Sequence, residues 1–150
     1  MGIFNFFKRN KKDSPVETDS TDFMARMEAM VQKIKEEEGT DNDELPNHKG
    51  EFGYSKDNPI LLTSVPESRK YINRLIYIKP GSSQYTWERT GSMISSIVSA
   101  PIDEYNLLDV DSNIVKTIYI WPYNRVNSKK VPEGFGLMDC NLTHLKYTQK

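Results

Sequence analysis

The stretch that most constrains the fold is residues 102–121. Two runs, 102–110 (IDEYNLLDV) and 114–121 (IVKTIYIW), flank Asp111-Ser112-Asn113. β-Branched and aromatic residues interrupted by a few short polar ones are what a pair of strands and a tight turn require. The spacing predicts a β-hairpin. Its second strand, with Ile118, Tyr119, Ile120 and Trp121, is the most apolar piece of the chain and is expected to be central in a sheet.

The segments before it supply the rest of a small domain. Residues 60–63 (ILLT) are expected to form a short strand after Asn58-Pro59, a pair that forces extended or turn geometry. Ser64-Val65-Pro66-Glu67 matches a capping box, in which the Ser64 hydroxyl takes a backbone N–H and Glu67 returns a bond to the Ser64 N–H. Proline is tolerated in the first turn. A helix over about 66–77 is predicted, with Val65, Ile72, Leu75 and Ile76 inward and Arg69, Lys70 and Arg74 outward. From residue 84 the period changes to two, and 84–89 (QYTWER) reads as a strand broken at Gly91. Residues 92–99 are a strand or loop. Pro122 ends the 114–121 strand, and Pro132, Gly134 and Gly136 exclude regular structure from 122–136. Residues 137–147 would add an edge strand or a short helix. The fold class predicted is α+β: a mostly antiparallel sheet with one packed helix, preceded by a separate amphipathic N-terminal helix.

That N-terminal helix is read at about 21–38. Ser20, Thr21 and Asp22 offer cap chemistry, and Phe23, Met24, Met27, Met30, Val31 and Ile34 recur at helical spacing before Gly39. Its flanks, 13–22 and 39–50, are polar and read as linkers, which places the domain boundary near residue 50. The regions differ in charge. Residues 1–12 hold four bases and no acid, 13–50 eleven acids and four bases, and 51–150 ten acids and twelve bases.

These balances exclude several function classes. A region from 51 onward that is near neutral lacks the field with which polyanion binders release counterions, so nucleic acid is not an expected partner. Cys140 is the only cysteine, which rules out an intrachain disulfide. With His48 and His144 it cannot complete a four-ligand zinc site, and the Cys140/His144 spacing of four is a weak signal for metal or nucleophile. No apolar run approaches the ~20 residues that span a bilayer. Neither a phosphate-cradling loop nor a nucleophile elbow occurs. Asp103 and Glu104 would point to opposite faces of a strand, and Asp109 with Asp111 reads as turn chemistry. Neither an enzyme nor a cofactor is expected. A small hydrolase or nucleic-acid-modifying enzyme is the weakest reading carried.

Three surfaces remain as candidates. Tyr123, Arg125, Lys129, Lys130 and Phe135 form a basic-aromatic loop of the kind protein interfaces favour. Met24, Met27 and Met30 give the N-terminal helix an adaptable apolar stripe, suited to a partner protein or to a second copy of the helix. Ile3, Phe4 and Phe7 beside Lys8 and Arg9 have the composition of an anchor for anionic membrane. The expected location is cytoplasmic, at the inner face of the membrane if that anchor engages.

Two stretches, FGYSKDNPI (Phe52–Ile60) and YIWPYNRVNSKKVPEGF (Tyr119–Phe135), resemble a group of small bacterial proteins that begin FGYS-x-x-NPI and end Tyr…Ser-x-Lys-x-Pro-x-Gly-Phe. The resemblance covers about residues 51–137 and rests at its end on Tyr123, Ser128, Lys129 or Lys130, Pro132, Gly134 and Phe135. It implies a compact bacterial domain, some members of such groups being immunity or accessory proteins. The resulting expectation is a non-enzymatic, immunity-like protein-interaction module, with a peripheral membrane or envelope accessory protein as the alternative.

Overall fold

The computed structural model describes residues 15–78 and 85–138. The chain divides into two units, Met1–Ile34 and Lys35–Lys150. In the first, the described residues belong to a single helix, α1 (Pro15–Glu38), which runs on into the second unit. The predicted start at 21 is therefore late. Every residue from Ser20 to Met30 is exposed.

The second unit is α+β. Its elements are β1 (Ile60–Leu61), α2 (Val65–Arg74), β2 (Leu75–Tyr77), β3 (Thr86–Met93), β4 (Ile102–Leu108), β5 (Ile114–Trp121) and β6 (Phe135–Leu137). A four-stranded sheet has the order β1-β5-β4-β3, and β2 and β6 form a second, two-stranded sheet. β4 is antiparallel to both neighbours, whereas β1 pairs with β5 in parallel. The predicted hairpin is present, with its first strand ending at Leu108. Asp109 Oδ1 accepts the backbone N–H of Asp111 and of Asn113, each at 2.9 Å, which is the turn chemistry the sequence indicates.

Residues directly opposite on an antiparallel ladder share a face, so the register separates two faces. One carries Tyr105, Leu107, Ile118 and Ile120, joined by Ile60 from β1. These side chains form the core with Tyr71, Ile72 and Leu75 from the α2–β2 segment, together with Phe52, Leu62 and Phe135. On the other face Leu61, Ile102 and Trp121 are also fully enclosed, while Thr90, Glu104, Asn106 and Thr117 form a polar surface through Thr90 Oγ1–Glu104 Oε1 (2.6 Å) and Thr117 Oγ1–Asn106 Oδ1 (2.7 Å).

α2 begins as its sequence requires. Ser64 is the N-cap and its side chain accepts from the Glu67 N–H at 3.2 Å. The reciprocal half of the capping box is replaced, because the Glu67 carboxylate instead takes the Asn127 amide (3.0 Å) and the Lys70 ammonium (3.0 Å). Val65, expected inward, is 38% exposed. The predicted end at 77 is corrected: the helix stops at Arg74, and Leu75–Tyr77 turn extended to pair with Phe135–Leu137. That pairing also overturns the exclusion of regular structure from 122–136, since Gly136 sits opposite Ile76. A ladder partner outweighs the low strand propensity of glycine.

The two stretches that carry the bacterial resemblance meet in space. Gly53 has φ +80°, and a Cβ there would lie 2.6 Å from Pro132 Cγ. The Tyr54 hydroxyl donates to the Glu133 carbonyl, and the Gly53 carbonyl accepts from the Tyr119 N–H at 2.9 Å. Their role is architectural. Gly53→Ala is expected to lower stability by about 2–3 kcal/mol, combining backbone strain with displacement of Pro132. Gly134→Ala, at φ +93° with no atom within 4 Å of the new Cβ, is expected to cost only about 1 kcal/mol. Urea midpoints of the two variants check the difference.

Candidate functional site

The basic loop after β5 is occupied by the chain itself. Residues 39–45, expected as linker, pack onto it. Leu45 is 2% exposed and Thr40 is buried. The Thr40 N–H donates to Asn124 Oδ1 at 2.7 Å, the Ser128 hydroxyl to the Asp43 carbonyl at 3.2 Å, and the Lys129 N–H to Asp43 Oδ1 at 2.9 Å. The charges follow the backbone: Arg125 pairs with Asp41 at 3.4 Å and Lys130 with Glu44 at 2.9 Å. An acidic segment, Thr40-Asp41-Asn42-Asp43-Glu44, thus pairs with Arg125 and Lys130.

The other side of the loop is held equally closely. The Ser128 N–H donates to the Leu61 carbonyl at 2.7 Å and the Asn124 N–H to the Leu62 carbonyl at 3.0 Å. Asn127 Oδ1 accepts the Thr63 N–H at 2.8 Å, and the Tyr71 hydroxyl donates to the Lys130 carbonyl at 2.7 Å. These bonds satisfy backbone groups at the end of the short strand β1, which explains why the loop is ordered without regular structure.

The five loop residues proposed from sequence therefore separate. Phe135 is a correction: it is 4% exposed and packs against Tyr77 (5.1 Å between ring centroids) and edge-on to Tyr85 (6.2 Å). Lys130 is ion-paired, and its ammonium lies over the Phe52 ring, 5.2 Å from the centroid. Arg125 is paired, as above. Tyr123 is half-buried, packs edge-on to Trp121 (5.8 Å), and has its hydroxyl pKa raised by burial and by the Asp103 charge. Only Lys129 keeps an exposed ammonium with no ion pair among the described residues.

The α1 stripe is different. Phe23, Met24, Met27 and Met30 are 54%, 59%, 42% and 56% exposed. At the far end of the helix, in the second unit, the Glu38 carboxylate accepts from the Ser99 N–H (3.0 Å) and hydroxyl (2.8 Å). Gly39 follows, where a Cβ would collide with the Lys35 carbonyl oxygen. Ile3, Phe4, Phe7, Lys8 and Arg9 lie outside the described residues, as do Cys140 and His144.

A cluster that the sequence did not single out lies where β3 meets β4. Asp103 is 6% exposed, and its Oδ1 accepts from Arg89 Nη2 at 2.9 Å and from the Ser92 hydroxyl at 3.2 Å. Arg89 Nη2 also reaches Ser92 Oγ at 2.7 Å. The carboxylate holds Arg89 protonated above even the usual guanidinium range. Arg89 and Asp103 are fourteen residues apart, and no local pattern joins them. The register does, through the irregularity between Arg89 and Gly91 that brings Ser92 opposite Asp103.

Among the described residues no group of three or more His, Cys, Asp or Glu is placed to hold a metal ion, and no helix is long and apolar enough to cross a membrane. Comparison of the chain with protein-family models, with curated proteins and with solved structures finds no match.

The Glu44–Lys130 contact gives a pH prediction. The Lys130 hydrogen bond, ahead of Asn58 and His48, holds the Glu44 carboxyl below its ordinary value of 4.5. A lowered folded-state pKa contributes stability above the unfolded value that is lost as pH falls through the folded one. The stability difference between the protein and Glu44→Gln should therefore be present at pH 7, no larger than about 1 kcal/mol for so exposed a lysine, and be smaller at pH 3. Urea unfolding of both proteins at the two pH values checks it.

Proposed function

We propose that this protein is a non-catalytic interaction module whose contact surface is the apolar stripe of α1. The observation that carries the reading is the exposure of Phe23, Met24, Met27 and Met30 on consecutive turns of one helix. Four large apolar side chains left in water on one stripe mark a binding face, and methionines suit a partner surface of irregular shape. The basic loop supports the same choice by subtraction, because Arg125, Lys130 and Phe135 are engaged within the chain.

Charge narrows the partner. α1 carries seven acids and three bases. Helices that lie on anionic membrane carry Lys and Arg on their polar face, and two copies of this helix would set acid against acid. An apolar groove rimmed by basic residues on another protein complements it. An immunity-like role is one setting in which such a contact would operate.

The test compares variants in one capture experiment. Met27→Glu/Met30→Glu should weaken binding of a stoichiometric partner by at least about tenfold, since two buried methionines contribute well over 1.4 kcal/mol, and should leave the urea midpoint of the β-sheet unit unchanged. Lys129→Glu should leave binding within about twofold. Binding lost in Lys129→Glu and retained in the helix variant would overturn the reading.

A further inference from the structure

A second group of side chains, chemically distinct from the α1 stripe, lies on the sheet unit. The Trp87 indole N–H donates to Asn73 Oδ1 at 2.9 Å, which fixes α2 beside β3. Arg69 is one helical turn before Asn73, a rise of about 5.4–6 Å. Arg89 is two residues after Trp87 on the same face of β3, a rise of about 6.6 Å. Each arginine therefore lies about one such step from the Trp87–Asn73 contact. Tyr105 links them: it is opposite Arg89 in the ladder, and its hydroxyl lies in the field of both Arg69 and Arg89.

The charge of this surface is unbalanced. Along this face of β3 and β4 the register allows one carboxylate, Asp103, because Glu88 and Glu104 point to the other side. Asp103 is matched by Arg89. The one acid of α2, Glu67, is matched by Lys70 and Asn127. None of the ion pairs among the described residues uses Arg69, which is exposed. Arg89 commits only Nη2 to Asp103 and Ser92, so its Nε–H and Nη1 donors remain available from a side chain that is 47% exposed. A guanidinium anchored by a buried carboxylate holds its remaining donors in a fixed direction, which is the arrangement that recognises planar or tetrahedral oxyanions.

We propose that the surface between α2 and β3 binds an oxyanion, a carboxylate or a phosphate group, held by the Arg69 and Arg89 guanidiniums. This site does not depend on α1, and a ligand there need not involve the helix partner.

Titration of the full-length protein with inorganic phosphate, and separately with acetate, followed by amide and arginine Nε–H NMR at ionic strength held constant with sodium chloride, tests the site. Saturable shifts at Arg69, Arg89 and Ser92 are expected with at least one anion. Saturation with phosphate alone assigns a phosphate-bearing ligand, and comparable saturation with acetate assigns a carboxylate. Arg69→Gln, which breaks none of the ion pairs among the described residues, should weaken binding about tenfold or more with an unchanged urea midpoint. Shifts that stay linear and spread over all surface lysines with both anions would overturn the proposal, as would saturable binding that Arg69→Gln leaves unaltered.

Discussion

The packing of α2 and its neighbours onto one face of the β4–β5 hairpin is the interaction on which the rest of this structure depends. Tyr105, Leu107, Ile118 and Ile120 present a continuous apolar surface, and Tyr71, Ile72, Phe52 and Phe135 cover it. Each buried aliphatic side chain contributes about 1.5–3 kcal/mol, so this face dominates the stability of the unit. The second unit is organised around it. β1 docks in parallel on β5 and brings the 122–130 loop back across its end. α2 is held beside β3 by the Trp87–Asn73 bond. β4 buries Asp103 beside Arg89.

Polar bonds then decide which surfaces stay open. The 40–45 segment spends its carboxylates on Arg125 and Lys130 and its backbone on Asn124 and Ser128, so a loop that looks like a basic patch is partly paired within the chain. α1 receives no such cover over Ser20–Met30. An isolated helix gains little from propensity alone, and an exposed apolar stripe on it is stabilised when another surface takes it up. The contrast between a satisfied loop and an unsatisfied helix is why contact is assigned to the helix.

What could be read from sequence was what local chemistry decides. The hairpin followed from β-branched runs around Asp111-Ser112-Asn113, and the start of α2 from Ser64 and Pro66, because turns and caps are made by neighbouring residues. The end of α2 was misread because Leu75–Tyr77 fit a helix locally and become strand only when Phe135–Leu137 pair with them. Gly136 within β6 has the same cause. The 40–44 acids read as linker because their partners lie more than eighty residues away. Of the candidate contact residues, Phe135 was legible as an aromatic but not as a core one. The Arg69, Arg89 and Asp103 cluster had no signal at all, since two strands and a helix assemble it.

The central claim is that this chain meets its partner through α1 and not through the 122–135 loop. Amide hydrogen exchange of the full-length protein, free and in its complex, tests this most directly, because it reads both segments in one experiment. The account predicts that residues 20–34 gain protection on binding while 122–135 stay as slow as in the unbound protein. Protection gained across 122–135, with 20–34 exchanging as before, would contradict it.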